Sequence, residues 1–438
     1  MSNQHDSFLN ALPSGWKYDR LKDVVTLRNE KTDEASADED YLELEDIGSG
    51  TGRTLSRRST LDVESAVTLF KRGDVLFGKL RPYLEKYYEA EFDGKCTGEI
   101  LAFKPERIAS RFLFYCVGSR WFIERCNALA YGAKMPRVSW PTQLSQFNIP
   151  LPPKSEQTRI AAYLDASCAA IDAAVAAKRR QLETLDTLRE GLIETAVLRG
   201  LNANPKLRVI DHDWIGALPE HWAAVRIKRV ISRLDYGISV SSQPEGKYSV
   251  LKMGNIQAGE IVFSKMEFVD EVADELLLEN NDLLYNRTNS PDQVGKAALF
   301  LGSKDEAVTF ASYLVRLRVS HRVIPEFLNY VVNCGGFLAF ARRLAIPSVQ
   351  QSNLNSTRYG RLLIPLPTVT EQRTICEYLH RKVAEIKRIV TTIETQIATL
   401  TTYRKSLIHE CVTGQRRVTE LDLAWVGRGE SLSSRPSR

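Results

Sequence analysis

Two short stretches carry side chains suited to holding an anion beside a flat ring. Phe77–Tyr88 reads FGKLRPYLEKYY, with Lys79, Arg81 and Lys86 among Tyr83, Tyr87 and Tyr88. Tyr131–Trp140 reads YGAKMPRVSW and adds Lys134, Arg137 and Ser139. Ammonium and guanidinium groups neutralise phosphates, and an arginine fork fits a guanine edge. Later, Tyr285–Lys296 (YNRTNSPDQVGK) and Ile346–Arg358 (IPSVQQSNLNSTR) offer Arg287, Asn289, Ser290, Gln350, Gln351 and Asn353. The amides of asparagine and glutamine suit adenine. Together these residues are the candidate contacts to an anionic, base-bearing partner. Any one of them is more readily a surface or capping residue than a base contact, so the clusters carry the reading.

Catalytic chemistry is harder to find. Glu45–Arg53, EDIGSGTGR, imitates an acid-then-glycine loop of the kind that holds S-adenosylmethionine. The matching later stretch, Met253–Ile261, keeps Ile47 as Ile256 and Gly50 as Gly259 but has Gln257 in place of Gly48. No Asn/Asp-Pro-Pro-aromatic run accompanies it. A glycine-rich turn between two strands is the simpler expectation. The chain has no G-x-x-x-x-G-K-[ST], H-E-x-x-H or G-x-S-x-G motif, and its six histidines form no ligand-spaced group. We expect no catalytic residues, no cofactor and no metal. The carboxylates crowded between Glu30 and Asp46 read as a solvated segment.

Bulk composition narrows the class. The 438 residues are 43% hydrophobic and 26% charged, with net charge +5. This is an ordinary globular balance whose mild excess of cations permits an anionic partner without requiring one. Seven scattered cysteines, none in a C-x-x-C pair, read as reduced thiols. The polar start MSNQHDSFLNALPSGWK lacks a signal-peptide core. With no apolar run of about 18–20 residues expected, the reading is a cytoplasmic protein away from the membrane.

The elements that must position these clusters come in duplicate. IPLPPKSEQTRIAAYL (149–164) answers IPLPTVTEQRTICEYL (364–379). Arg111–Phe122 answers Glu326–Phe337, GDVLFGKLRP from Gly73 answers NDLLYNRTNS from Asn281, and LPSGWKYDRLKDV from Leu12 answers LPEHWAAVRIKRV from Leu218. Asp74 falls opposite Asp282, which points to a structural turn role for that pair. After each copy comes a long proline-free stretch. Positions 164, 171, 178, 185 and 192 with 168, 175, 182, 189 and 196 form one mostly apolar heptad seam, and 379, 386, 393, 400 and 407 with 383, 390, 397 and 411 form another. Each predicts about 60 Å of helix, with Ser155 and Thr370 as N-caps and Glu156 and Glu371 in the first turn. Two matched seams in one chain favour an antiparallel intramolecular coiled coil. The globular copies mix short β-branched runs with helical ones such as Arg111–Ala130 and Glu326–Ala345, which is α+β.

Duplicated IPLP…EQ…I…YL runs, each between an α+β domain and a long helix, closely resemble the specificity subunit of type I restriction-modification systems. The Pro-x-x-x-Glu-Gln starts at Pro152–Gln157 and Pro367–Gln372, the LPSGW and LPEHW openings and GDVLFGKLRPYLEK carry the resemblance. It implies two tandem target-recognition domains separated by two long helices. Its expected boundaries are a first recognition domain over 1–152, a spacer helix over 153–205, a second recognition domain over 206–367, a C-terminal spacer helix over 368–417 and a tail over 418–438. It also implies the partners: double-stranded DNA read as two half-sites, two modification subunits that methylate adenine, and restriction motor-nuclease subunits. The chain itself would be non-catalytic. A methyltransferase in its own right and a coiled-coil scaffold without DNA are the alternatives. Because the copies differ most in the candidate contacts, an asymmetric target is expected. The last eleven residues, RGESLSSRPSR, read as disordered.

Overall fold

A computed structural model describes residues 4–32, 40–59, 67–302 and 307–426; the tail from Arg428 lies outside them. The chain divides into two compact units, 1–179 with 394–438 and 180–393.

In the first unit, β1 (Lys17–Arg20) follows the LPSGW opening. β2 (Val25–Leu27), β3 (Val75–Gly78), β4 (Tyr87–Glu89) and β5 (Ile100–Pro105) form an antiparallel sheet in the order β2-β5-β3-β4. A separate five-stranded sheet runs Lys31–Thr32, Val67–Phe70, Gly94–Cys96, Asp40–Leu42, Arg58–Ser59. The stretch expected to be one helical run is two helices, α1 (Ser110–Val117) and α2 (Arg120–Leu129). Ser119 breaks it by accepting the Phe122 N–H as an N-cap. Beyond its first two residues α1 is apolar on every face because it is interior there: Phe112 through Val117 are all buried. At roughly 2–3 kcal/mol per buried aromatic, this helix is core and not interface. β6 (Asn148–Leu151) then pairs antiparallel with β1, so the IPLP run lies beside the opening strand. Pro150 is tolerated there because the ribbon has only two strands.

α3 (Lys154–Arg199) begins two residues after Pro152. In the second unit the same order recurs: β7 (Ala223–Arg226), β8 (Ile231–Tyr236), β9 (Leu283–Asn286), β10 (Ala297–Leu299), β11 (Leu314–Val319), α4 (Pro325–Asn333), α5 (Gly335–Arg343), β12 (Leu363–Leu366) and α6 (Val369–Val412). The main sheet repeats as β8-β11-β9-β10 and is extended by two short strands, Glu260–Ile261 and Ile256–Gln257. β7 pairs with β12 as β1 pairs with β6.

The repeated glutamine explains the joint. Gln157 is buried; its Oε1 accepts the Ala109 N–H at 2.8 Å and its Nε2 donates to the Pro152 carbonyl at 2.9 Å. Gln372 accepts the Ile324 N–H at 2.7 Å and donates to the Pro367 and Arg322 carbonyls. Ala109 and Ile324 are the N-cap positions of α1 and α4. Each glutamine therefore ties the first turn of a long helix to the start of a domain helix. The caps differ from expectation. α6 is capped by Thr368, whose hydroxyl accepts from the Glu371 N–H while Glu371 accepts from the Thr368 N–H and hydroxyl. This capping box begins two residues before Thr370. α3 starts at Pro153 and Lys154, ahead of Ser155, with Glu156 and Gln157 N–H groups donating to the Pro153 carbonyl.

The long helices pair antiparallel. In the first unit Leu164, Cys168 and Ile171 share a core with Leu407, Ile408, Cys411 and Val412, and Lys178 Nζ donates to Gln396 Oε1. In the second unit Ala196 and Val197 share a core with Ile375, Cys376 and Leu379. None of the seam positions in either helix is exposed. α3 ends at Gly200 and α6 at Gly414, both with positive φ. Gly200 lies against Trp222, and Gly414 against Pro13 and Trp16. The helix that leaves each domain is thus finished against the opening LPxxW motif of the other.

One expectation is corrected by α3. It contains an 18-residue window of mean hydropathy 1.5, long and apolar enough to cross a bilayer by length and composition. Alanines raise that value. The stripe Ile160, Tyr163, Leu164, Cys168 and Ile171 is buried in the first unit's core.

Candidate nucleic-acid interface

The two early clusters converge on one edge of the first unit. Lys79 and Leu80 continue from β3, and Leu80 and Tyr131 each pair with Arg137. The Val138 N–H donates to the Lys79 carbonyl at 3.0 Å. The second unit builds the same ladder. Arg287 follows β9, its carbonyl accepts the Leu354 N–H at 2.8 Å, Thr288 pairs with Asn353, and Asn353 pairs with Ile346. Lys79 therefore stands where Arg287 stands, Arg81 where Asn289 stands, and Arg137 where Asn353 stands. Chain segments about sixty residues apart in sequence meet because β3 or β9 exits at the edge reached by the hairpin after α2 or α5.

In the first unit Arg81 is exposed and held in the left-handed region, φ +50. Its N–H donates to the Pro136 carbonyl at 2.7 Å and its guanidinium to the Lys134 carbonyl at 3.3 Å. Such a conformation costs a non-glycine residue roughly 1 kcal/mol or more, so the surroundings fix it. Tyr83 and Lys134 are exposed beside it. Lys86, by contrast, points inward and donates to the Ile47 carbonyl at 2.5 Å. Arg137 forks onto Glu99 at 3.1 and 3.2 Å, and the Ser139 N–H donates to Gln143. These three hold the frame.

In the second unit the Arg287 guanidinium lies 5.2 Å from the Tyr236 ring centre. Its Nε is buried without a hydrogen-bond partner among the described residues. Asn353 donates to the Thr288 hydroxyl at 2.8 Å, Asn289 accepts the Ser290 N–H, and Ser290 donates to Asp292. Gln350 and Gln351 are exposed on the hairpin. Sequence reading missed the apolar members of both edges: Tyr131 and Met135 in the first, Tyr236, Tyr313 and Val349 in the second, all exposed. Their one signal is position, flanking the polar clusters.

The glycine loop is a turn. Ile47 pairs with Thr54 across it, and a Cβ on Gly52 would meet Phe114 at 2.3 Å. A cavity of about 440 Å³ opens beside it. Arg111 there is paired with Glu89 and Asp165, and Arg53 and Arg404 with Asp172. The expected turn role of Asp74 and Asp282 is met: each accepts the N–H three residues back, at 2.8 Å from Lys71 and 2.9 Å from Glu279. All seven cysteines are free and buried. Among the described residues no group of three or more His, Cys, Asp or Glu could hold a metal.

Comparison with known proteins places this architecture. Residues 13–184 match the model of the type I restriction modification DNA specificity domain. The StySPI specificity subunit of Salmonella potsdam is 24% identical over 353 residues, 79% of this chain and 72% of that one. The MjaVIII specificity subunit of Methanocaldococcus jannaschii is 22% identical over 94% of this chain and 95% of its own. Residues 13–184 thus match a type I DNA specificity domain, and over most of its length the chain is similar to type I specificity subunits. A chain solved in work on complex assembly and conformational transition of the type I R-M system shares the fold, with TM-score 0.73 and 18% identity over 92% of this chain and 99% of that one. Specificity subunits recognise DNA within complexes with other subunits, and the paired helices and doubled domain are the frame of such a recogniser.

Proposed function

We propose that this chain is a specificity subunit that reads one half of a bipartite, asymmetric DNA site with each recognition domain. The carrying observation is that both units present the same ladder edge with different side chains: Lys79, Arg81 and Lys134 in the first, Arg287, Asn289, Gln350, Gln351 and Asn353 in the second. Equal frames with unequal edges fit two half-sites of different sequence. Exposed cations reach phosphates, the Arg81 fork suits guanine, and the amides of the second edge suit adenine. Lys86, Arg137, Ser139 and Ser290 position these groups. The recognition domains span 1–152 and 206–367, and the helices over 153–205 and 368–417 set the spacing between half-sites. The chain is non-catalytic. It directs adenine methylation by two modification subunits and cleavage by motor-nuclease subunits in the cytoplasm.

The test maps methylated adenines in cells with and without the gene, which yields a candidate split motif. Binding of that duplex by the purified chain with its modification subunits is then compared with a scrambled duplex. Preference for the split motif supports the proposal. Sequence-independent binding in every combination overturns it.

A further inference from the structure

The hairpin of the second edge ends in residues that folding does not favour. Ile346–Ser348 and Gln351–Asn353 pair, with Ser348 opposite Gln351, so Val349 and Gln350 form a two-residue turn. Such turns prefer Asn, Asp or Gly. Here the first turn residue is a β-branched apolar side chain, 89% exposed. The second is a glutamine at φ +58, a left-handed conformation that side-chain-bearing residues rarely adopt. The ribbon beneath is held firmly. Asn353 bonds to Thr288, and Arg358 donates to the Leu344 carbonyl at 2.9 Å at the hairpin's base. Its own stretch of chain is basic: residues 327–370 contain Arg342, Arg343, Arg358 and Arg361 and no carboxylate, with Arg343 paired to Asp213. A two-stranded ribbon fits the major groove, and the one apolar group displayed there is the thymine methyl. At the first domain's hairpin Lys134 and Met135 are exposed together, and no β-branched side chain stands at the tip.

We infer that Val349 reads a thymine, through its 5-methyl group, in the half-site of the second recognition domain. This rests on the proposed DNA-reading function. The experiment selects duplexes with a randomised core from two pools, one built with thymine and one with deoxyuridine throughout. The selector is the full chain assembled with its modification subunits, as parent and as Val349→Ala. The parent is expected to enrich a bipartite motif from the thymine pool with a thymine position in one half. Preference at that position falls about four-fold in the deoxyuridine pool, the effect of one lost methyl contact. Val349→Ala shows the same fall with thymine and is indifferent to deoxyuridine. If the parent gains the same motif equally from both pools, or Val349→Ala remains as sensitive to deoxyuridine as the parent, the thymine contact is refuted and DNA reading stands. If Val349→Ala fails to assemble with the modification subunits, the valine is a protein contact and the inference falls. If no motif is enriched from either pool, DNA reading itself falls.

Discussion

Behind β3 the first domain buries one carboxylate and one arginine: Asp74 accepts a fork from Arg28 at 2.7 and 3.2 Å. Behind β9 the second domain holds a chain of four charges, two of them, Asp282 and Arg316, fully buried. Asp282 takes the fork of Arg318 at 2.8 and 3.0 Å. Arg316, fully buried, lies 3.6 Å from Asp282 and 2.6 Å from Asp235. Strand register explains the exchange. Phe103 opposite Val75 corresponds to Leu317 opposite Leu283, so Ala102 answers Arg316 and Lys104 answers Arg318. Leu27 opposite Phe103 corresponds to Leu234 opposite Leu317, so Arg28 answers Asp235. The aspartate that caps the turn stays, and its counter-charge has moved to the neighbouring strand. Burial raises the Asp235 carboxyl, and the Arg316 and Arg233 guanidiniums outweigh it, leaving it below the usual aspartate value. A duplicated frame thus tolerates different charge arrangements provided that each buried ion keeps a partner.

That comparison can be broken by removing partners one at a time. Arg316→Met leaves Asp235 and Asp282 short of counter-charge and should destabilise the chain by about 3–5 kcal/mol in urea unfolding. Arg28→Met should cost less, because Arg28 is partly exposed, whereas Arg316 is fully buried and also donates to the Leu277 and Glu275 carbonyls; the reverse order would refute the exchange. Where the copies agree, the penalties should agree. Gln157→Leu and Gln372→Leu each orphan a buried N–H and a carbonyl and should cost about 2 kcal/mol by the same assay. The second should cost slightly more, because Gln372 also serves the Arg322 carbonyl.

At the edges, Arg81→Ala and Arg287→Ala should each weaken binding of the assembled complex about ten-fold. In competition with half-site variants, each should relax preference in a different half. Loss in the same half from both would refute the assignment of one half-site per domain. The smallest effect separates the two glutamates of the helix starts. Burial raises the Glu371 carboxyl, but bonds from His221, Thr368 and Trp222 outweigh it and hold it down to about 2. A depressed carboxyl stabilises above its unfolded value, near 4.5, and loses that contribution as pH falls towards 2. Glu371→Ala should therefore lower the unfolding free energy at neutral pH, by no more than about 1 kcal/mol for a half-exposed group. The difference from the parent should vanish on titration to about pH 2. Glu156, which faces Arg417 at 3.2 Å and no tryptophan bond, serves as the paired control.

The doubled frame was legible because it is written in local signals. Prolines end a strand, an acid and a glutamine open a helix, and heptads run for ten turns. The Asp74 and Asp282 pair was legible because the turn lies within three residues. The role of the glutamines was not: Gln157 reaches Ala109, far back in the chain. The same limit applied at the edge. Nothing near Lys86 announces that its ammonium ends on the Ile47 carbonyl, or that the Arg137 fork is taken by Glu99. Val349, Tyr236 and Tyr313 escaped notice because an exposed apolar side chain reads in sequence like a buried one. Boundaries also shifted where backbone geometry outranked residue type, as Thr368 took the cap expected of Thr370.

Gly414 against Trp16 has a consequence for the order in which the protein is made. The second unit draws only on residues 180–393, a continuous stretch that can close as soon as it leaves the ribosome. The first unit waits for Leu407, Ile408, Cys411, Val412 and Val418 to complete its core. The residues synthesised first therefore belong to the unit that finishes last. A chain stopped before residue 400 would hold a complete second unit and leave Leu164, Cys168 and Ile171 without a lid.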